Sequence, residues 1–342
     1  MISCLLCKKN PAAASFAICV DCIRSYPHIE KLIDLHAKVR EQYKLPARPP
    51  ATEDGIKCTL CVNTCRMGVG EAGYCGIRYN DGGRLNERSS RDCGLVHTYL
   101  DRLPTNCCAS WFCRGSREEG YNLAVFLYGC SFDCLYCQNA EHKMVGNAPS
   151  VKLEDLVKRA MDPKVRCVCF FGGSPEPQFP FVLGAAQRIL ELSEGKKHIC
   201  FEWNGSGDSA YVEQAVHISR ESGGTVKFDL KAFHPKVHAA LCGVRSEATL
   251  RNFRIAAGMF SGEDVLTATT LLVPYYVDTH EVREIASFIA DLDSRIPYSL
   301  LVFHPDFYLE DLPVTPREQV FTCYDVAKQY LERVFIGNRN LL

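Results

Sequence analysis

From residue 121 onward, apolar runs of strand length alternate with segments of helical periodicity, and this alternation constrains the fold more than any other feature. The runs are almost continuously apolar, which is typical of parallel strands buried on both faces. We therefore predict an α/β fold built as a partial (β/α)6 barrel, with a flat doubly wound sheet as the alternative. The predicted strands are 122–128, 165–171, 198–203, 225–230, 265–273 and 298–303, with a further short one at 333–336.

Cysteine content separates the rest of the chain from this barrel, because most of the 20 cysteines precede residue 138. We predict a Cys-rich zinc-ribbon-like module at 1–45, a second Cys-rich segment at 46–120 and the barrel at 121–342. The first residues lack the basic and apolar regions of an export signal, and no apolar run is long enough to cross a membrane. We therefore expect a cytoplasmic protein without a membrane partner, in which C-x2-C pairs indicate metal sites rather than disulfides.

Three groups of four cysteines precede the barrel. The first has the spacing C-x2-C-x11-C-x2-C, which is typical of zinc, but its central gap is short enough to leave iron open. The second fits either zinc or an auxiliary [4Fe–4S] cluster, and the irregular third is either another metal site or a set of free thiols. In chain order the groups are Cys4, Cys7, Cys19 and Cys22; Cys58, Cys61, Cys65 and Cys75; and Cys93, Cys107, Cys108 and Cys113.

The first barrel strand is followed by "YGCSFDCLYCQNAEHK", which holds only three cysteines at C-x3-C-x2-C spacing, Cys130, Cys134 and Cys137. A structural zinc site or an electron-transfer cluster normally takes four protein ligands. Three ligands leave one coordination position open, and an open position is where a metal centre binds a reactant. The alternative is a structural zinc site that His142 completes.

Polar stretches also follow the other predicted strands. In a parallel barrel the carboxyl ends of all strands open onto one face, so these loops should surround a single site together with the three-cysteine loop. The stretches are "GGSPEPQ" at 172–178, "NGSGD" at 204–208, "KAFHPKVH" at 231–238, "PYYVDTH" at 274–280 and "HPDFY" at 304–308.

The three-cysteine loop resembles the radical S-adenosylmethionine (SAM) signature C-x3-C-x-Φ-C, with Tyr136 at the aromatic position. The resemblance implies that the thiolates hold three corners of a [4Fe–4S] cluster and that the open iron binds the methionine part of SAM. Reductive cleavage of SAM then yields a 5′-deoxyadenosyl radical, while the protein supplies orientation and excludes water.

Other motifs resemble the pyruvate formate-lyase activating enzyme group. "GGSPEP" is similar to the methionine-binding stretch, "FDLKAFHPKVHAALCG" to a D-L-K…H segment, and "EWNG" to a D-T-N-G motif in which Trp203 replaces threonine. That replacement removes a hydroxyl and puts in doubt the cation site of relatives. The residues that the resemblance assigns to SAM binding are Tyr136, Gly172, Gly173, Ser174, Glu176, Asn204, Asp229, Lys231 and His304.

Upstream, "CTLCVNTC…GEAGYCGIRYN" resembles the AmmeMemoRadiSam branch of these activating-enzyme-like proteins, as does "IGNRNLL" at the end. The resemblance covers residues 55 to 342 and departs in "LPTNCCASWFC", where that branch has a sequence without cysteines. The first 27 residues lie outside it.

The resemblance implies an enzyme that abstracts hydrogen from a protein or peptide substrate and takes its electron from a low-potential flavodoxin or ferredoxin type donor. Modification of a side chain, a peptide or a small molecule with help from auxiliary clusters is the alternative. A catalytically inactive, metal-stapled RNA- or protein-binding module is the alternative of another class. Lysine plus arginine (39) balances aspartate plus glutamate (40), so a nucleic-acid partner is disfavoured.

Overall fold

A nine-stranded, mostly parallel sheet forms the centre of the computed structural model, which describes residues 1–25, 27, 29–105, 107–259 and 264–342. Its strands run in the order β15-β14-β13-β12-β11-β10-β8-β7-β9, so that β15 and β9 are the two edges of an open sheet. They are β7 (Cys93–Arg102), β8 (Tyr121–Leu127), β9 (Ser150–Lys152), β10 (Val165–Gly172), β11 (His198–Trp203), β12 (Val226–Asp229), β13 (Leu266–Leu272), β14 (Tyr298–Val302) and β15 (Val334–Gly337).

Seven strands of the sheet are parallel to one another, namely β8 and β10 to β15. Each of them coincides with a predicted strand to within about one residue. The prediction of an α/β fold with a parallel sheet is therefore confirmed. Strand β7, which precedes the predicted barrel, extends the sheet by pairing antiparallel with β8, and β9 pairs antiparallel with β7.

Helices connect the parallel strands and precede the sheet. Two of them begin at an aspartate whose carboxylate accepts backbone N–H groups: Asp208 accepts from Ala210, and Asp278 from His280 and Glu281. The helices are α1 (Val20–Ser25), α2 (Ile29–Gln42), α3 (Leu153–Ala160), α4 (Phe179–Ser193), α5 (Ser209–Glu221), α6 (Pro235–Cys242), α7 (Glu247–Met259), α8 (Thr279–Ala290) and α9 (Arg317–Lys328). None of the helices in the described ranges has the length and hydrophobicity that crossing a bilayer requires.

The N-terminal segment contains short antiparallel strand pairs and is held against the start of helix α8 by ion pairs. Arg24 in α1 donates from both terminal nitrogens to Asp278, at 2.9 and 2.7 Å, and also to Glu281 at 2.9 Å. Paired contacts of this kind fix both the position and the direction of the arginine. The short strands are β1 (Ile2–Ser3), β2 (Pro11–Ala12), β3 (Ile56–Lys57), β4 (Arg66–Met67), β5 (Arg78–Asp81) and β6 (Arg84–Glu87).

Candidate active site

The three-cysteine loop follows β8 at the carboxyl end of the parallel strands, beside a cavity of about 160 Å³. Because parallel strands end at one edge of the sheet, residues that are far apart in the sequence meet there. The predicted site residues that line this cavity are Cys130, Cys134, Tyr136, Cys137, Gly172, Gly173, Asn204, Asp229 and Lys231.

The three thiols have different electrostatic surroundings. Burial raises the pKa of Cys130, and burial together with the charge of Cys134 raises the pKa of Cys137 to about 11. For Cys134, a hydrogen bond with Cys242 outweighs the effect of burial, and with the nearby Lys231 it lowers the pKa to about 7. Of the three thiols, Cys134 is the one whose pKa lies below its ordinary value.

The spacing of the ligands separates a cluster from a single metal ion. Four thiolates around one zinc lie about 3.8 Å apart, given the usual bond length to sulfur. Within the described part of the chain, no three atoms from the three cysteines and His142 lie within 4.8 Å of one another. His142 is nevertheless in the wall of the same cavity. The wider spacing fits a centre of several irons better than the single zinc of the alternative prediction.

Asp133, in the middle of the cysteine loop, is completely buried among three basic side chains. Its carboxylate contacts Lys143 Nζ, lies 2.9 Å from His36 Nδ1 and is 3.5 Å from Arg40 Nη1. Burial opposes the charge, but the hydrogen bond with His36 and the charges of Lys143 and Arg40 outweigh it and hold the pKa of Asp133 well below its ordinary value. Helix α2, which carries His36 and Arg40, thereby fixes the cysteine loop.

The loop after β11 is fixed by the predicted residues of the loop after β10. The backbone N–H of Asn204 donates to Ser174 Oγ at 3.3 Å, and that of Ser206 donates to Glu176 Oε1 at 3.2 Å. Asn204 Nδ2 in turn donates to Ser131 Oγ in the cysteine loop, at 2.8 Å. Ser174 and Glu176 are buried behind the cavity wall and do not line it. The structure therefore places these two residues where they position Asn204.

Gly173 allows the loop after β10 to approach the cysteine loop. A Cβ atom at this position would lie 2.2 Å from the carbonyl oxygen of Gly129, closer than any side chain tolerates. The adjoining Gly172 has a φ of +111°, a conformation that residues with side chains rarely adopt. Gly173 is therefore required by the packing between the two loops, and Gly172 by its own backbone conformation.

Asp229 and Lys231 form an ion pair in the cavity wall. Lys231 Nζ lies 2.7 Å from Asp229 Oδ2, and Thr269 Oγ1 donates to Asp229 Oδ1 at 2.5 Å. Burial opposes the charge of Lys231, but the charge of Asp229 outweighs it and raises the pKa of the lysine. The ring of Tyr136 has its centroid 5.9 Å from Lys231 Nζ. The cavity thus presents a fixed carboxylate and a fixed ammonium group beside an aromatic ring.

Two predicted positions have other surroundings. His304 lies at the rim with a side chain that is 40% exposed, and its Nε2 accepts from Nε2 of the cavity residue Gln138 at 2.9 Å. Trp203, where relatives carry threonine, is buried, and its ring stacks on that of Phe201 at a centroid distance of 5.6 Å. Trp203 is nevertheless one of the residues that line the cavity.

The first cysteine group forms a compact metal-ligand set. The sulfurs of Cys4, Cys7, Cys19 and Cys22 all lie within 4.8 Å of one another, and those of Cys7 and Cys19 are 3.8 Å apart. Backbone N–H groups outweigh burial and lower the pKa of Cys4 to about 6. This arrangement could hold one metal ion.

The second group lies against the candidate active site. Burial and the charges of Cys75 and Cys58 raise the pKa of Cys65 to about 12. Among the described residues, however, no three sulfurs of this group lie within 4.8 Å of one another. The segment packs on the loop after β11, where the backbone N–H of Val62 donates to the carbonyl oxygen of Ser206 at 2.9 Å.

The third group does not form one site. Cys93 lies on β7 with its sulfur 2.8 Å from Ser150 Oγ, on the neighbouring strand. Cys107 and Cys108 instead form a compact set with Glu202, in which the ligand atoms all lie within 4.8 Å of one another. Glu202 belongs to the "EWNG" motif, and no spacing rule connects a strand residue to a cysteine pair about a hundred positions earlier.

An open parallel α/β sheet with a cysteine-lined cavity at the carboxyl ends of its strands defines the class of protein. The chain belongs to the Radical SAM superfamily, which matches residues 124–334. Membership supports an enzyme and implies a [4Fe–4S] cluster and SAM. The position of the three thiols around one cavity, at a spacing wider than one ion needs, fits such a cluster.

Two relatives come from Methanocaldococcus jannaschii. An uncharacterized protein is 24% identical over 300 residues, which cover 84% of this chain and 82% of the relative. A second, provisionally named a glycyl-radical enzyme activating enzyme, is 23% identical over 222 residues, which cover 63% of this chain and 88% of the relative.

Solved structures with similarity include a domain of pyruvate-formate lyase-activating enzyme from Bacteroides vulgatus. It has 22% identity and a TM-score of 0.42, covering 50% of this chain and 98% of that domain. SuiB from Streptococcus suis, bound to the precursor peptide SuiA, has 15% identity and a TM-score of 0.49, covering 63% of this chain and 48% of SuiB.

The Glu176 carboxyl makes a testable contribution to the pH dependence of stability. Burial raises its pKa to about 7, whereas an unfolded glutamate ionises near pH 4.3. The folded chain therefore keeps a proton that the unfolded chain releases, and stability decreases as the pH rises from about 4.5 to 7.

Glu176→Gln keeps the oxygen that accepts from Ser206 but cannot ionise. Relative to wild type, its free energy of unfolding should increase by about 2–3 kcal/mol between pH 5 and pH 8. Urea unfolding of metal-free protein measures this difference, with Glu213→Gln on an exposed helix face as the control. Equal pH dependence in all three proteins would contradict the assignment.

Proposed function

We propose that this protein is a radical SAM enzyme in which Cys130, Cys134 and Cys137 hold the catalytic [4Fe–4S] cluster and the adjoining cavity binds SAM. The reaction is reductive cleavage of SAM followed by hydrogen abstraction from a protein or peptide substrate. The observation that carries the proposal is the convergence of the three thiols, Asn204 and the Asp229–Lys231 pair on one cavity.

When bound, the cluster and SAM supply a 5′-deoxyadenosyl radical. The residues of the chain bind SAM and orient it. The carboxylate of Asp229 and the ammonium group of Lys231 offer opposite charges to the ribose hydroxyls and the carboxylate of SAM, and Tyr136 offers an apolar ring face to adenine. Asn204 Nδ2 donates to Ser131 Oγ at 2.8 Å, and this hydrogen bond fixes the loop after β11 relative to the cysteine loop.

The substrate proposal rests on the sequence resemblance and on the provisional name of one relative. An activase of this type takes hydrogen from a partner protein and receives its electron from a flavodoxin or ferredoxin type donor. The second candidate is modification of a side chain, a peptide or a small molecule with an auxiliary cluster. The packing of the Cys58–Cys75 segment on the carbonyl of Ser206 favours this candidate, because it brings further thiols close to the active site.

The test is metal and sulfide analysis of anaerobically prepared protein, with EPR of the reduced sample before and after SAM is added. We expect SAM to change the spectrum and reductant to produce 5′-deoxyadenosine. About four irons per chain would indicate the catalytic cluster alone, and about eight would require a second cluster, which favours the auxiliary-cluster candidate. Zinc alone, with no SAM response, would leave only the metal-stapled binding module.

We further propose that the first cysteine group holds a structural zinc ion. The 3.8 Å separation of the Cys7 and Cys19 sulfurs equals the spacing of about 3.8 Å that a tetrahedral zinc–thiolate site requires. Four thiolates complete the coordination, so no position is left for a reactant.

Cys7→Ser should therefore remove about one zinc per chain and lower the stability of the N-terminal module, because zinc binding contributes directly to folding in such sites. Elemental analysis after gel filtration measures the loss. Cys93→Ser, at a thiol outside the group, is the control and should keep the wild-type zinc content. Loss of iron and sulfide from Cys7→Ser would show a cluster instead.

A further inference from the structure

A second cavity, of about 240 Å³, lies next to the proposed SAM cavity. The two cavities share Asn139, Phe171 and Glu202 in their walls, so they adjoin. Strand β10 contributes Cys167 and Cys169 to the second cavity, because residues two apart on a strand point to the same side. The cavity is unusually rich in thiols.

The segment that follows β7 closes this cavity and brings in more cysteines. Its Trp111 stacks on Phe335 of β15, with the rings 13° from parallel, and donates from Nε1 to Ser299 Oγ at 3.0 Å. Ser299 also donates to the carbonyl oxygen of Cys108 at 2.9 Å. These contacts anchor the segment on strands β14 and β15 of the sheet and so place the cysteine pair.

We propose that Cys107, Cys108 and Glu202 form a further metal site, which binds a single zinc ion in this second cavity. Their ligand atoms all lie within 4.8 Å of one another, and they come from two separate elements of the fold. Two thiolates and one carboxylate are a ligand set that zinc accepts. Three protein ligands leave the fourth position for water or for a donor atom of a substrate.

The charges around the site support a divalent cation. Lys227 is buried, and its Nζ lies 3.2 Å from Cys107 Sγ and 3.4 Å from Glu202 Oε2. Two thiolates and a carboxylate carry three negative charges, and the lysine carries one positive charge. A divalent ion brings the sum to zero, so the buried Lys227 and the three partly buried ligands would together be neutral.

The ligand atoms also have supporting contacts of the kind that thiolate sites show. The backbone N–H of Ala109 donates to Cys107 Sγ at 3.4 Å, and Lys227 donates to the same sulfur. Donors of this type stabilise a thiolate and orient it toward its metal. Glu202 lies in the walls of both cavities, so the proposed metal site adjoins the proposed SAM cavity.

The experiment uses the full chain, prepared anaerobically with zinc supplied, and compares wild type with Cys108→Ser and Glu202→Gln. We expect each variant to lose about one zinc per chain. The zinc proposed at the Cys4 group is a separate ion and should remain bound. Cys113→Ser, which changes a thiol of the same cavity outside the ligand set, should keep the wild-type content. Replacement with Co²⁺ should give a sulfur-to-cobalt charge-transfer band that weakens in Cys108→Ser.

Wild-type zinc and cobalt spectra in Cys108→Ser would overturn the proposal, and so would loss of iron and sulfide, which would show a cluster at this place. Unchanged iron content and melting temperature in the variants establish that the fold and the catalytic cluster are intact. The metal count does not depend on SAM cleavage. Failure of the SAM response would therefore contradict the proposed function and leave the zinc site standing.

Discussion

Cys134→Ala should abolish the change that SAM causes in the EPR spectrum of the reduced protein and lower formation of 5′-deoxyadenosine by more than about 100-fold. Loss of an outer-shell partner alone typically costs a metal site 10- to 100-fold, and Cys134 is a direct ligand in the proposed site. It is also the thiol whose pKa is lowered to about 7. The hydrogen bond with Cys242 and the charge of Lys231 lower this pKa, and burial opposes them. Loss of Cys134 removes a proposed cluster ligand and also the thiolate charge that lies near Lys231.

The control for this variant is Cys323→Ala, which removes a buried thiol of helix α9 that does not line the proposed SAM cavity. It should keep the cluster and the response to SAM. A Cys134→Ala protein that still responds would show that this cysteine does not bind the catalytic cluster. EPR and product analysis on the same samples distinguish loss of the cluster from loss of SAM binding.

Much of the fold was predictable because the signals that set it are local. Each parallel strand is an apolar run of its own, and the runs at 198–203 and 165–171 correspond to β11 and β10 within one residue. Strand β7 was missed because its outer half has no buried residue and it lies in a segment dominated by cysteines. Its pairing with β8 depends on the whole sheet.

The candidate site was predictable to the extent that strand ends converge. That rule brought Asn204, Asp229 and the cysteine loop to one cavity, as the structure shows. It could not separate residues in the cavity wall from those behind it: Ser174 and Glu176, which the resemblance assigns to SAM, accept hydrogen bonds from the backbone of Asn204 and Ser206. Contacts between distant elements left no sequence signal.

Asp133 is such a contact, and Asp133→Asn should lower the free energy of unfolding by about 3–5 kcal/mol. Removing one partner of a buried ion pair costs this much because the remaining charges stay buried without compensation. Here the remaining partners are Lys143, Arg40 and His36, all of them buried. The amide nitrogen of asparagine would also face these donors. We expect the cysteine loop to loosen, so that the variant retains less iron.

Denaturant unfolding measures the change, with the shift of the midpoint at constant slope giving the free energy. Asp34→Asn is the matched control, because Asp34 makes an ion pair with Arg48 in which both side chains are more than half exposed. Pairs of that kind contribute little to stability, so the control should unfold close to wild type. Equal stability of the two variants would mean that the free energy lost on burying Asp133, Lys143, Arg40 and His36 equals the free energy gained from their mutual contacts. Helix α2 would then hold the cysteine loop through packing alone, and iron retention in Asp133→Asn should match wild type.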